Sequence, residues 1–306
     1  MLKFVIRLVV STVLTLWAIT TITFVLMLSV PGSPFASIDE NWTPQQQQML
    51  EERYGLHLPM HEQYVRYMGN LLRGDLGVSF VFTGRSVNAT IARTFPPSAR
   101  LGIISIFVSL LVGIYLGVTA ALHQGKWQDR VALFFATLGI TVPNFVIATL
   151  LIYVFGVHWR LLPFLGLEGP ESYILPVAAL SLGTVAVISR LVRSSVLDVI
   201  RQDYVRMARA KGLTSMQVTY QHVLRNALIP VVTLMGPLLA GILTGSFVVE
   251  NIFAIPGMGN QLVLAIGNRD YSLILGMTIF FSFILVTANM LVDVVYGLID
   301  PRIKLE

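Results

Sequence analysis

Six stretches of the chain are almost purely apolar: 8–30, 101–122, 131–157, 174–192, 229–250 and 273–297. Crossing about 30 Å of bilayer hydrocarbon takes about 20 apolar residues at 1.5 Å each. The pattern predicts an all-α polytopic membrane protein with six transmembrane helices. Between the first two lies different material, residues 31–97, which is polar and rich in turn signals. Thr43 followed by Pro44 predicts a capped helix over 45–54. Tyr64, Tyr67, Met68 and Leu71 share one face of a second helix over 61–72. The expected organisation is a start and first span (1–30), a small helical extramembrane lobe (31–97), a core of five spans (98–299) and a short tail (300–306). The loop at 193–228 belongs to the core.

Composition agrees. Only 12% of the 306 residues are charged and 55% are hydrophobic, with mean hydropathy +0.75, against about 25% charged in soluble domains. With no Cys, there is no disulfide, thiolate metal site or cysteine nucleophile. The net charge of +5 raises nucleic acid as a partner, but its placement points to a membrane. Lys3, Arg7, Lys126, Arg130, Arg190 and Arg193 join the basic residues of 201–225 and 302–304 on one side. The two short loops of the other side hold only Arg160 and Arg269. Cytoplasmic loops carry the excess of Lys and Arg, so both termini are expected in the cytoplasm and the lobe outside. The first apolar run exceeds the 7–15 residues of a signal peptide and ends in VPGSP, so it reads as a retained helix.

Within the bundle, Gly113 and Gly117, then Gly241 and Gly245, are four apart. Small residues one turn apart let helix backbones approach closely. Pro143 and Pro237 are expected to kink or interrupt their helices. The spans are nearly free of ionisable groups: Arg190, Arg193, Glu250 and Asp293 all fall towards span ends. Ion-coupled carriers usually hold such groups at mid-membrane. No GxxxxGK[ST] phosphate loop exists, since Gly125-Lys126 runs into Trp127. Any ATP-driven work must therefore draw on another polypeptide. His57 and His61 have a helical metal-pair spacing, but Pro59 lies between them, and they read as two surface histidines. Ser194 and Ser195 lack a His and Asp arrangement. Asn88-Ala89-Thr90 fits a glycosylation sequon.

One segment breaks the apolar pattern. From Arg190 to Arg225 there are seven basic residues against Asp198 and Asp203. The fourth span is expected to continue as helix through 189–211. Gly212 then supplies a left-handed helix end. Thr214 and Gln217 form a Thr-x-x-Gln capping box, and the second helix is expected to align Met216, Tyr220, Val223, Leu224 and Ala227 on one side. A helix, a sharp turn and a capped helix would be held between two spans. A plain connector whose charge only sets topology is the simpler alternative. A DNA-reading helix-turn-helix is disfavoured because both ends are held at the membrane.

This segment resembles the "EAA" loop of ATP-binding-cassette importer permeases, Glu-Ala-Ala, three residues, Gly, nine residues, Ile-x-Leu-Pro. The chain has Arg206-Met207-Ala208, Gly212 and His222-Val223-Leu224-Arg225, so Ala208, Gly212 and Leu224 match. PGSPF (31–35), YGLHLPMHEQYVRYMGNLLRGDLGVSF (54–80), RMARAKGL, GSFVVENIFAIPGMG (245–259), NRDYS (268–272) and VDVVYGLIDPRIK (292–304) resemble the first permease subunit of oligopeptide and dipeptide importers. The resemblance implies a type I importer permease fold in a bacterial inner membrane. It implies a second, similar permease as heterodimer partner, two cytoplasmic ATP-binding subunits and an extracytoplasmic peptide-binding protein. ATP and Mg would sit on the partner subunits and no cofactor on this chain. Arg206, Ala208, Gly212, Thr214, Gln217, Tyr220, His222 and Leu224 would form the coupling element. The pathway residues stay unassigned. Related permeases carry nickel and other small solutes, and a self-sufficient channel or ion-coupled carrier is the reading from a different class.

Overall fold

The computed structural model describes residues 2–30, 44–82, 84–243 and 246–299. The Thr43 cap, PGSPF, Gly245, the 300–306 tail with Arg302 and Lys304, and the side chains of Lys3, Arg7 and Asp293 lie outside the described residues.

Four helices are long and apolar enough to cross a membrane, or six spans if each of two bent pairs counts as one. The first, α1 (Leu2–Ser29), leads to a lobe with α2 (Pro44–Tyr54) and α3 (Met60–Leu72). Then come α4 (Val87–Leu122), α5 (Trp127–Thr141) and α6 (Asn144–Leu151), the last extended by a π-helical stretch, Ile152–His158. A 3₁₀ turn, Pro170–Tyr173, opens into α7 (Ile174–Ile200). After α8 (Asp203–Ala210), α9 (Ser215–Gln217) passes through a π-helical stretch, Val218–Leu224, into α10 (Arg225–Ala227). The remainder is α11 (Ile229–Leu243), α12 (Phe247–Ile252), α13 (Met258–Gly267) and α14 (Tyr271–Ile299). The bundle has a loop end, where α7 gives way to α8, and a lobe end, where α1 stops.

The central seam is α4 against α7. A Cβ on Gly113 would stand 2.8 Å from the Ile188 side chain, and one on Gly117 only 2.6 Å from the Ser189 carbonyl. Ser181 Oγ donates to the Ser105 carbonyl at 3.1 Å, and Ser109 Oγ donates to the same carbonyl at 2.7 Å. Around this seam, α5 packs on α7, α11 on α4 and α14, and α1 on α14. Beyond its own helix backbone, no described atom lies within 4 Å of where a Cβ on Gly241 would stand.

Several elements differ from their sequence expectations. The third apolar run bends by 105° between α5 and the α6 stretch. Val142 is pushed into an extended conformation (φ −84°, ψ 123°) by the ring of Pro143. Pro237, by contrast, lies inside α11 without ending it. The fifth run does not stay one helix to Glu250: α11 stops at Leu243 and α12 restarts at Phe247. Helix α4 starts at Val87, inside the expected lobe, and passes through Pro96 and Pro97. The carbonyls those prolines leave free belong to Ala92 and Arg93, both on the exposed side. The fourth span stops at Ile200 instead of running to Lys211. Gln202 is extended (φ −71°, ψ 148°), and α8 turns back to bury Val205 and Ala208 beside Val192 and Val196. That apolar gain outweighs the continuation that helix propensity favours.

Gly117→Leu is expected to lower stability by about 1–3 kcal/mol through overpacking of the α4–α7 seam. The readout is the thermal unfolding midpoint of the detergent-solubilised chain. Gly69→Ala, where no atom lies within 4 Å of the new Cβ, should leave the midpoint unchanged or slightly raised.

Candidate functional site

At the loop end, α8, α9, the π-helical stretch and α10 form an elbow between α7 and α11. Its turn is Gly212, at φ +81° with no atom near a would-be Cβ. Thr214 (φ −66°, ψ 154°) accepts from the Gln217 N–H at 3.3 Å, and its own N–H donates to Gln217 Oε1 at 3.0 Å. Both halves of the capping box are therefore formed.

The π-helical stretch changes which side chains share a face. Val218 and Val223 are five apart, one π turn, and both are buried with Val205, Ala208, Ala227 and Val231 against Ala121, Ile188, Val192 and Val196. Met216 (67% exposed) and Tyr220 (62%) point away from this core. The single apolar side expected over 216–227 is thus split. Val223 and Ala227 weld the elbow to α4 and α7, Leu224 is half-buried, and Met216 and Tyr220 face outward. Of the other residues singled out from sequence, Ala208 is buried, His222 is half-buried, and Thr214 and Gln217 are exposed. Arg206 is exposed and 3.6 Å from Asp203. Asn226 Nδ2 donates to the Tyr204 hydroxyl (2.9 Å), tying α10 back to α8.

Beside the elbow's root lies a pair that sequence reasoning passed over. Arg193 grips Asp129 through two bonds, Nε to Oδ1 at 2.6 Å and Nη2 to Oδ2 at 2.8 Å. The Gly125 N–H also donates to Oδ2 at 2.9 Å. The carboxylate is 4% exposed and the guanidinium side chain 22%. The fork joins the start of α5 to α7. The available clue was a lone Asp near a basic loop end, one span away from a basic residue at the matching depth.

A second buried carboxylate, read from sequence only as falling towards a span end, is Glu250 in α12. Ser98 Oγ donates to its Oε1 at 2.6 Å and accepts from the Met258 N–H at 2.9 Å, while the Asn260 N–H donates to Oε2 at 3.1 Å. The acid therefore clamps the start of α13 onto α4. A Cβ on Gly257 would stand 2.5 Å from the Glu250 carboxyl, so the backbone can come this close only without a side chain. The spacing from Glu250 to Gly257-Met258-Gly259 was the signal for this turn. Ser79, Asp270 and Phe80 form a third buried knot, in which Ser79 Oγ and the Phe80 N–H both donate to the Asp270 carboxylate.

The weaker candidates have structural roles or none. Asn88 is engaged on both sides of its amide, donating to the Gly74 carbonyl (2.7 Å) and accepting from the Leu76 N–H (2.9 Å). His61 is exposed, 3.9 Å from Glu62. No cluster of three metal-ligating side chains occurs among the described residues. Ser194 Oγ donates to the Leu191 carbonyl of its own helix.

A bundle of apolar helices with a capped elbow packed between α7 and α11 is that of an integral membrane protein. The chain belongs to the family of binding-protein-dependent transport system inner membrane components: that family's model matches residues 113–305, and the model of its N-terminal region matches 1–102. The chain is 47% identical over 293 residues to the dipeptide transport system permease protein DppB of Bacillus subtilis, covering 95% of this chain and 94% of the relative. It is 39% identical over 306 residues to the oligopeptide transport system permease protein OppB of Haemophilus influenzae, covering 99% and 100%. In fold it is similar to an amino acid ABC transporter crystallised with histidines (TM-score 0.55, 15% identity, 68% of this chain and 94% of that one). It is also similar to the inward-facing MetNI methionine ABC transporter (TM-score 0.53, 18% identity, 67% and 95%).

Removing one member of the Asp129–Arg193 pair leaves a largely buried charge uncompensated, a cost of roughly 3–5 kcal/mol. Asp129→Ala should thus lower the unfolding midpoint more than the double variant Asp129→Ala/Arg193→Met does. A double variant less stable than the single one would contradict this account of the pair.

Proposed function

We propose that the chain is a permease subunit of an ATP-driven importer of dipeptides or oligopeptides, worked through the 203–227 elbow. One observation carries the coupling role. The elbow buries Val205, Val218 and Val223, yet holds Met207 (60% exposed), Met216 and Tyr220 out at the loop end. Arg201, Arg206, Arg209 and Lys211 are exposed around them. Apolar anchors with a polar rim on a rigid support have the make-up of a docking patch for another protein. The basic rim favours a cytoplasmic location for this patch. The peptide substrate is supported by near full-length likeness to relatives named for dipeptide and oligopeptide transport.

On this reading, two ATP-binding subunits sit below the bundle, one of them seated on Met216 and Tyr220. Closure of those subunits pushes the elbow. Since the elbow is packed into α7 and leads directly into α11, the push tilts both helices and opens or closes the path that this chain shares with a second permease. An extracytoplasmic binding protein delivers peptide at the lobe end. Both termini and the elbow then share the cytoplasmic side. ATP and Mg are held by the partner subunits, and this chain supplies no nucleotide site.

Two measurements test the reading. Deleting the chain's gene should abolish uptake of labelled di- or oligopeptides while leaving nickel uptake intact; the reverse pattern would overturn the peptide assignment. Gly212→Val forces a β-branched residue into the left-handed region at a cost of about 1–3 kcal/mol. It should sharply reduce uptake, whereas Gly212→Asn, which tolerates that region better, should retain most of it. Equal uptake by the two variants, with ATP-binding subunits still co-purifying in wild-type amounts, would remove the elbow from the mechanism.

A further inference from the structure

At the lobe end, α1, α3, the 76–80 segment and the start of α14 enclose a cavity of about 290 Å³. This is near the lower bound of small-ligand sites, about 300–1,000 Å³. Its floor is apolar, with Phe24, Met27 and Leu28 from the last turns of α1 and Leu275 from α14. The lobe is held over it by Thr21 Oγ1 against the Tyr64 hydroxyl (2.7 Å) and by Phe24 packed edge-on to Tyr64, with ring centroids 5.4 Å apart.

Two polar side chains lining the cavity, Tyr67 and Tyr271, have buried hydroxyls that lack a hydrogen-bond partner among the described residues. Tyr271 as a whole is only 6% exposed. Buried hydroxyls nearly always find a partner. Burial holds the Tyr67 phenol far above the ordinary tyrosine range, so it keeps its proton and can donate. The exposed side chains of Arg53 and Arg66 also line it, with Gln63 and Asn70, and among the described residues no carboxylate lines the cavity. Gln63 Nε2 is already taken by the Leu56 and Leu58 carbonyls.

We propose that this cavity binds one anionic phospholipid of the lobe-side leaflet, its phosphate between Arg53 and Arg66 and the root of an acyl chain against Phe24, Met27, Leu28 and Leu275. The make-up of the lining selects this class of ligand. The apolar floor belongs to the last turns of α1, a helix long and apolar enough to cross a membrane, while the two exposed arginines line the same cavity from the lobe. An apolar wall beside a pair of cations matches a lipid's acyl chain beside its anionic headgroup. The ester and glycerol oxygens that join chain to phosphate are acceptors to which the two phenols can donate. Bound there, the lipid would brace the lobe against α1 and α14 independently of any event at the elbow.

Native mass spectrometry tests the site. The full chain, with whatever subunits co-purify, is released from nanodiscs of phosphatidylcholine doped with phosphatidylglycerol. Wild type should retain one more phospholipid than Leu28→Trp, which fills the floor, and that lipid should be phosphatidylglycerol at least tenfold above its share in the disc. Arg53→Gln/Arg66→Gln, altering only exposed side chains, should keep a lipid but lose the tenfold preference. The same count and preference in wild type and both variants would overturn the proposal. So would displacement of the lipid by millimolar inorganic phosphate, which would make this a site for the free anion. The readout does not involve transport, so its failure is separate from a failure of the importer assignment.

Discussion

The architecture depends on the close approach of α4 to α7. In lipid, apolar side chains gain nothing by leaving one apolar surrounding for another, so helices associate through backbone proximity and hydrogen bonds. Gly113 and Gly117 let α4 come within contact of Ile188, Ser189 and Val192, and Ser105, Ser109 and Ser181 close hydroxyl-to-carbonyl bonds across or beside the seam. Ala121, Ile188, Val192 and Val196 then continue the same seam into the cluster that receives the elbow. Loosening the seam would loosen the elbow's footing, because they are one packed body.

Charge is treated with similar economy. Two buried acids within the bundle are paired or tied to backbone N–H groups. Asp129 meets Arg193 in a fork and takes a third bond from Gly125. Glu250 is wrapped by Ser98 and the start of α13. Both acids join elements separated by long stretches of sequence, and each sits where the backbone changes direction. Their role is to fix turns that apolar packing alone would leave loose. Buried ionic groups are weak devices for stability and better ones for holding a unique geometry, which a moving transporter bundle needs at its fixed points.

Much of this was legible in the sequence. The apolar runs marked the spans, Gly212 and the Thr214–Gln217 box marked the elbow's turn and cap, and α2 and α3 emerged close to their expected bounds. What local pattern could not convey is long-range competition. No residue between Ser189 and Lys211 forbids a continuous helix. The chain breaks at Gln202 because Val205 and Ala208 have a better place beside Val192. The π-helical register over Val218–Leu224 follows similarly from tertiary packing, and an ideal 3.6-residue period assigns Met216 and Tyr220 to the wrong face. Pro143 bends its run and Pro237 does not end its helix, though the two look alike on paper. Glu250 read as a span end because α13, which covers it, is apolar but only 10 residues long, too short to read as a span.

The split of the elbow's faces bears directly on how force could travel. An element whose apolar residues all faced inward would have nothing to offer a partner. One whose apolar residues all faced outward would have no footing in the bundle. The π-helical stretch meets both needs within one short segment, since its wider turn brings Val218 and Val223 together inward and leaves Met216 and Tyr220 for the surface. Gly212 and the capping box fix the angle at which that segment leaves α8. Arg193, one helical turn beyond Ser189 on the seam, locks α5 to the same body. A displacement imposed at Met216 therefore acts on α4, α5, α7 and α11 together. That is the mechanical condition for a rigid-body tilt, as opposed to local yielding of a loop.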